Sequence, residues 1–214
     1  MLPVLLIAFV LAATELHAQR FKGAVMGGLN MSQVDGDEVY GYHRFGGHLG
    51  AAAILPINNW DITLEVVFNQ KGAYQKPQYD ADSLTGEYDV RLNYVEVPVL
   101  VHYTDKEFIT GGVGLSWGAL VSSSEIEHGG LQPPYTDQVQ FNRYDLNFLA
   151  DAQIRVWKRL KFNIRFAYSM IPIRERVFEN PFRDPWTRKQ YNHMWTFRLV
   201  YVFNERISRQ VQND

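Results

Sequence analysis

The chain has 214 residues, no cysteine, 21 basic and 23 acidic side chains and a formal net charge of −2. That length suits one domain or two small ones, and 46% apolar residues exclude a disordered chain. Zero Cys excludes thiol catalysis, disulfides and Cys-ligated zinc, and the near-neutral balance gives nucleic acid no electrostatic foothold. The mean hydropathy of −0.23 excludes only a helical membrane protein, because the strands of a membrane barrel alternate apolar and polar residues.

Leu2 to Ala13 is an almost unbroken apolar run, too short to cross a bilayer as a helix. Small Ala18 follows at a plausible cleavage position, so residues 1–19 read as a secretory signal peptide cut near Ala18 or Gln19. No Lys or Arg precedes the run, which points to a start a few codons upstream.

From residue 20 the chain alternates with period two, the strand signal. Eight runs show it, taken here by their apolar faces: Phe21 to Met31, Phe45 to Leu55, Trp60 to Phe68, Val95 to Tyr103, Ile109 to Val121, Leu146 to Val156, Leu160 to Met170 and Trp195 to Phe203. No segment of similar length has a helical period. The links near 56–59, 104–107 and 157–160 are short, and those near 34–42, 74–89, 123–143 and 172–191 are long. Short turns at one end and long loops at the other are the pattern of an outer-membrane barrel. The expected fold is all-β: an eight-stranded antiparallel up-and-down transmembrane β-barrel over residues 20–204, with short periplasmic turns, long extracellular loops and a polar tail at 205–214.

One face of the runs is aliphatic and aromatic; the other carries Glu65, Lys71, Arg91, Glu96, Asp145, Asp151, Arg155, Arg165 and Arg198. A soluble sandwich or ligand-carrying barrel would turn the charges to water. A membrane barrel turns the apolar face to lipid and the charges inward. The wide apolar face on every strand, the mixed charges with glycines opposite, and Trp60, Tyr103, Trp157 and Phe203 at strand ends favour the membrane barrel. An eight-stranded interior is only wide enough for side chains, so the charged set reads as a salt-bridged plug, with a proton or ion path as the sharper alternative.

Several stretches resemble the PorT-family outer-membrane β-barrel proteins of Bacteroidetes. They are Gly27-Gly28-Leu29-Asn30-Met31-Ser32, Gly46-Gly47-His48-Leu49-Gly50, the third-strand run Glu65 to Ala73 with its Gln70-Lys71-Gly72, the fourth-strand run Leu92 to Leu100 with Asn93-Tyr94, Glu96 and Pro98, and Gly111-Gly112-Val113-Gly114. The resemblance covers nearly the whole chain after residue 19. It implies an eight-stranded outer-membrane barrel and little about activity. The namesake branch is similar to components of a type IX secretion and gliding apparatus, and no residue here singles it out. Such barrels commonly end on an aromatic residue; here polar residues follow Phe203, which sets this chain apart from a strictly terminal signal.

Chemistry is sparse. His43, His128 and His193 fall near loops, as do Ser122, Ser123 and Ser124, but there is no nucleophile elbow. His48 and His102 fall on the polar face as hydrogen-bonding fillers, and no metal-ligand spacing occurs. No cofactor is expected. Pro98 removes a ladder donor and points to a bulge or register break. Gly111, Gly112, Gly114 and Gly118 leave room for lumen side chains such as Glu96 or Arg155.

The first three long loops are acidic, and the fourth reverses sign. It holds Arg174, Arg176, Phe178, Phe182, Arg183, Trp186 and Arg188, with Lys189 and three prolines. These basic residues either pair with acidic neighbours or lipopolysaccharide phosphates, or form an Arg-plus-aromatic docking loop for a protein partner. The resulting expectation is a non-enzymatic structural or accessory subunit of an envelope assembly, in contact with outer-membrane lipid, lipopolysaccharide and protein partners. An outer-membrane enzyme with a rim site and a soluble ligand carrier are the alternatives.

Overall fold

The structure is a computed structural model describing residues 21–37, 39–78, 86–127, 130–131, 140–180 and 183–205, with only the backbone of 130–131, 178–180 and 183. The signal-peptide reading of residues 1–19 lies outside the described residues.

Ten strands follow in chain order: β1 Lys22–Asp35, β2 Arg44–Ile57, β3 Trp60–Gln75, β4 Tyr88–Asp105, β5 Ile109–Glu127, β6 Gly130–Leu131, β7 Tyr144–Trp157, β8 Leu160–Ser169, β9 Arg174–Asn180 and β10 Arg183–Val202. Eight of them close a ring in the order β1-β2-β3-β4-β5-β7-β8-β10, with β10 pairing back onto β1 from Ala24↔Val202 to Asp35↔Tyr191. All these pairings are antiparallel, so the up-and-down barrel read from the alternation is the observed fold. Among the described residues no helix is long and apolar enough to cross a membrane.

Three tight connections close one end: Asn58-Asn59, residues 106–108 and Lys158-Arg159. Each uses left-handed backbone, at Asn58 (φ 56°), at Lys106 and Glu107 (φ 47° and 59°) and at Lys158 (φ 38°). The other end carries the long links. Two of these are partly strand. The fourth region folds as a hairpin, β9 pairing with the first part of β10 from Gln190↔Arg174 to Arg183↔Asn180, and β6 pairs with the end of β5. The fourth long loop of the sequence reading is therefore corrected to a β-hairpin that extends the wall.

Pro98 causes no bulge. The pairs on either side of it, Leu64↔Val99 and Val67↔Glu96, keep one offset, so no residue is inserted. Within the ring the shifts fall instead between β4 and β5 at Asn93/Tyr94 and between β7 and β8 at Arg155/Trp157. On β5, an added Cβ at Gly112 would lie 2.2 Å from His102, and one at Gly118 would lie 3.0 Å from Glu96, so both glycines make room for lumen side chains. Gly111 faces outward, with nothing near it.

The two faces invert the usual order of a folded domain. Leu49 is 68% exposed and Val121 63%, whereas Glu65 is 2% exposed and Arg198 1%. An apolar surface running round the whole wall is untenable in water and fits lipid. Aromatic pairs mark its edges. Trp60–Tyr103 and Tyr201–Phe203 sit at the short-turn end, and Trp117–Tyr144 and Tyr168–Tyr191 sit toward the loops. Apolar packing inside the barrel forms three clusters: one around Met26 and Val200 toward the short turns, one around Leu100 and Leu149, and the largest at the loop end. There Val34, Ala73, Tyr88, Val90, Leu92, Tyr94, Phe141 and Ile173 form a buried cluster.

Candidate functional site

Period-two strands place every second side chain in the lumen, so residues far apart in sequence meet there. At mid-height Glu65 of β3 accepts paired hydrogen bonds from two guanidiniums. Arg165 of β8 reaches it at 2.8 and 2.9 Å, and Arg198 of β10 at 3.0 and 3.1 Å. Asp151 of β7 accepts from Arg165 at 2.6 and 2.9 Å. Around this core, Asn163 accepts from Arg198, His48 meets Arg198 at 3.0 Å, and His102 meets Asp151 at 3.1 Å and Thr63 at 3.1 Å. Two carboxylates thus face two guanidiniums, with both oxygens of each carboxylate bonded. Bidentate geometry of this kind is what lets buried charges survive desolvation.

Above that layer, Lys71 of β3 contacts Glu96 at 2.7 Å, Asp145 at 3.3 Å and Asn147 at 3.2 Å. Below it, Glu205 turns back into the short-turn mouth. It accepts from Arg155 at 2.8 and 3.0 Å and pairs with Lys161 at 3.2 Å. Burial pushes the Glu205 carboxyl up, but the Arg155 hydrogen bonds and the Lys161 and Arg155 charges outweigh it and leave it below the usual range. The first residue of the supposed free tail is therefore part of the barrel; residues 206–214 lie outside the described residues.

Eight of the nine residues assigned to the lumen, Glu65, Lys71, Glu96, Asp145, Asp151, Arg155, Arg165 and Arg198, are buried there. Arg91 is the correction. It points outward beyond the apolar band, with its side chain 54% exposed, and binds Asp89 at 2.8 Å. Its odd number matches Val95 and Val97 on the lipid face of β4, so strict alternation already places it outside. Lys161, Asn163 and Asn69 are lumen members that the same alternation marks. Glu205 carries no such signal, because it lies beyond the last strand.

The fourth region also departs from an open docking loop. Arg174 is 2% exposed: it binds Glu125 at 2.7 and 3.1 Å, Gln190 at 2.8 Å and the Tyr88 hydroxyl at 3.3 Å, and lies 4.1 Å from the Phe141 ring centroid. Arg176 binds Glu127 at 2.7 and 2.8 Å and Glu125 at 3.4 Å. Arg174 is thus withdrawn from any partner surface, and most of Arg176 is held by its acidic neighbours. Arg188 is exposed and Trp186 half-buried on the hairpin. Phe182 and the side chains of Phe178 and Arg183 lie outside the described residues.

Asp37, in the first long link, is 5% exposed and accepts from the Val39 amide at 2.9 Å. Burial dominates and pushes its carboxyl up to about 7, against the pull of the Val39 bond and the Arg174 charge. At the outer rim His193 meets the Tyr42 hydroxyl at 3.0 Å and Asp35 at 3.2 Å. His43 is exposed, Ser122 bonds Asn93 within the β4–β5 wall, and His128 lies outside the described residues. No group of three His, Asp or Glu side chains is placed to hold a metal among the described residues.

With this closed ring, lipid-facing apolar wall and ionic lumen in place, a match of residues 17–175 to the outer membrane protein beta-barrel domain decides the class. The chain belongs to that outer-membrane barrel family. Its location is the outer membrane. Among solved structures it is similar to Ail, the attachment invasion locus protein of Yersinia pestis (15% identity, 85% of this chain and 98% of that one, TM-score 0.49). It is also similar to Neisserial surface protein A (10% identity, 85% and 95%, TM-score 0.49). A third is a major outer membrane protein from Thermus thermophilus (15% identity, 87% and 100%, TM-score 0.46). No curated protein matches it in sequence.

Proposed function

We propose that this outer-membrane barrel is a non-enzymatic structural or accessory subunit of an envelope assembly, which engages protein neighbours through its projecting β9–β10 hairpin. The observation that carries this reading is the division of labour among its charges. The lumen charges are buried and mutually bonded, whereas the hairpin lifts Arg188, Lys189 and Glu175 into exposed positions beyond the barrel. A lumen occupied by its own side chains is suited to rigidity rather than transport, and an exposed rim strand pair suits recognition. The PorT-like motifs of the strands support an assembly of the Bacteroidetes envelope, with the secretion and gliding apparatus as the first candidate. At the outer rim, Arg91 and Arg143 are exposed on the wall, where lipopolysaccharide phosphates would meet them.

The test is native purification in mild detergent, comparing the wild type with Arg188→Glu/Lys189→Glu. The wild type is expected to bring defined outer-membrane proteins with it and the variant to lose them. The same partners on both, or none on either, overturns the docking role.

One contact favours the rim-enzyme alternative. The Tyr42 hydroxyl hydrogen-bonds His193 Nδ1, and His193 Nε2 lies 3.2 Å from Asp35, a carboxylate–imidazole–hydroxyl grouping that ends on a phenol rather than an aliphatic hydroxyl. If Tyr42→Phe abolishes an envelope-lipid modification that wild-type cells carry, the enzymatic reading replaces the structural one.

A further inference from the structure

The layer around Lys71 is closed and unbalanced. Lys71, Tyr94, Glu96, Asp145, Asn147 and Asn192 are each no more than 1% exposed. One ammonium faces two carboxylates, leaving an excess of one negative charge. The layer beneath gives no relief, because Glu65 and Asp151 are already matched by Arg165 and Arg198.

The hydrogen bonds of this layer show where the excess lies. Lys71 donates to Asp145 Oδ2 and Asn147 Oδ1, and its ammonium lies 2.7 Å from Glu96 Oε1 as an ion pair. Asp145 Oδ2 also accepts from Asn192 Nδ2 at 3.3 Å, and Glu96 Oε2 accepts from Ser116 at 3.1 Å. Asp145 Oδ1, Asn192 Oδ1, the Tyr94 hydroxyl and Glu96 Oε1 remain without hydrogen-bond partners, the last facing the Lys71 ammonium as an ion pair. The Tyr94 hydroxyl lies beside the Asn192 amide, close enough to interact with it as a hydrogen-bonding pair, and near the Asp145 charge. Buried oxygens without partners are costly and rare; the one proton of the Tyr94 hydroxyl cannot serve both the Asp145 and Asn192 oxygens, so these spare oxygens and the excess negative charge mark a site for something that supplies positive charge. Asn147 Nδ2 is also without a partner and is a donor, suited to a water carried by the guest.

We propose that this chamber binds one monovalent cation of the sodium or potassium class, through Asp145 Oδ1, Asn192 Oδ1 and the Tyr94 hydroxyl oxygen. A single positive charge restores neutrality. Hard cations take oxygen ligands from carboxylates and amide carbonyls, and a divalent ion would ask for more carboxylates than the one spare oxygen Asp145 offers. Lys71 keeps its own bonds, because it uses other oxygens. The ion ties β4, β7 and β10 together across the lumen.

The experiment uses the full chain refolded in detergent micelles, with heat unfolding followed by tryptophan fluorescence. It is run in sodium chloride, potassium chloride and N-methyl-D-glucamine chloride at one ionic strength. The midpoint is expected to rise by a few degrees with sodium or potassium, following the logarithm of cation concentration above its Kd, and to stay flat in N-methyl-D-glucamine. Asn192→Ala, which changes no charge, should weaken the response, and Asp145→Asn should remove it. Equal midpoints in all three salts overturn the proposal. So does a cation response that survives in Asp145→Asn, or a midpoint that answers to pH alone, which would make a proton the missing charge. If Asp145→Asn does not fold, wild-type crystals grown in rubidium chloride decide. An anomalous peak beside Asp145 and Asn192 supports the site, and a lumen without one overturns it.

Discussion

Two neighbouring layers of one lumen solve the same problem differently. At mid-height two guanidiniums meet two carboxylates in bidentate pairs, and both oxygens of each carboxylate have a donor. One layer toward the loops, a single ammonium serves two carboxylates, and oxygens are left over. Arg supplies up to five donors in a fixed plane and Lys supplies three from one point, so the first layer can close on itself and the second cannot. The first acts as a rivet across β3, β7, β8 and β10. The second is where the barrel has capacity for a guest.

The strongest way to break the contrast is to remove a guanidinium from the closed layer. Arg165→Met keeps an apolar stem of similar bulk but leaves Glu65 and Asp151 to share the single guanidinium of Arg198 in a dry interior. A loss of about 3–5 kcal/mol is expected, read as a lower urea midpoint in refolding from detergent. The double change Arg165→Met/Asp151→Asn should recover part of it, because the surplus charge is then gone. If the single variant folds as well as wild type, the rivet is not structural.

Removing the ammonium of the open layer should cost somewhat less, about 3 kcal/mol at neutral pH. Lys71→Met leaves two carboxylates together, and the chamber would then call for two positive charges. Adding Glu96→Gln should return the variant to one excess charge and to most of the wild-type midpoint. Equal damage in the single and double variants would show that Lys71 acts by packing against Tyr94, 5.1 Å from its ring centroid, rather than by charge.

The strands and the inversion of their faces are legible in sequence, because a period of two over eight segments fixes which side chains share a face. Most of the lumen set follows from that parity. Arg91 departs from the lumen set because its parity, shared with Val95 and Val97, outweighs its charge in deciding which face it takes. The Arg174–Glu125 pair was out of reach for another reason. It joins positions 49 apart in the chain, and only the β9–β10 hairpin, whose pairing no short-range pattern announces, brings them together. Glu205 lay beyond the last alternating residue, where no period remained to read.

The contrast extends to the loop end, where Asp37 is buried beside the Arg174 cap. Its folded carboxyl stands near 7 against an ordinary value of 3.8, so the folded form holds a proton that the unfolded chain releases between those values. Stability should therefore fall as pH rises from about 4 to 7, until this group's proton is lost from the folded form as well. Asp37→Asn should flatten that slope, as measured by urea midpoints or by protease access to the first long link across the range. An unchanged slope would place the proton elsewhere.

The smallest effect belongs to the short-turn mouth. There the charge ratio is the reverse of the Lys71 layer, with Arg155 and Lys161 sharing the single carboxylate of Glu205. The folded carboxyl of Glu205 lies below its ordinary value, so its contribution is present above an unfolded value near 4.5 and is lost as pH falls through the folded value. Glu205→Gln should cost about 1 kcal/mol at pH 7 and nothing once the wild-type carboxyl is itself protonated. The two proteins should then converge in acid. Convergence would show that the mouth is held by charge, as the mid-lumen is. Parallel curves at every pH would show that Glu205 holds the mouth by hydrogen bonds that an amide supplies less well.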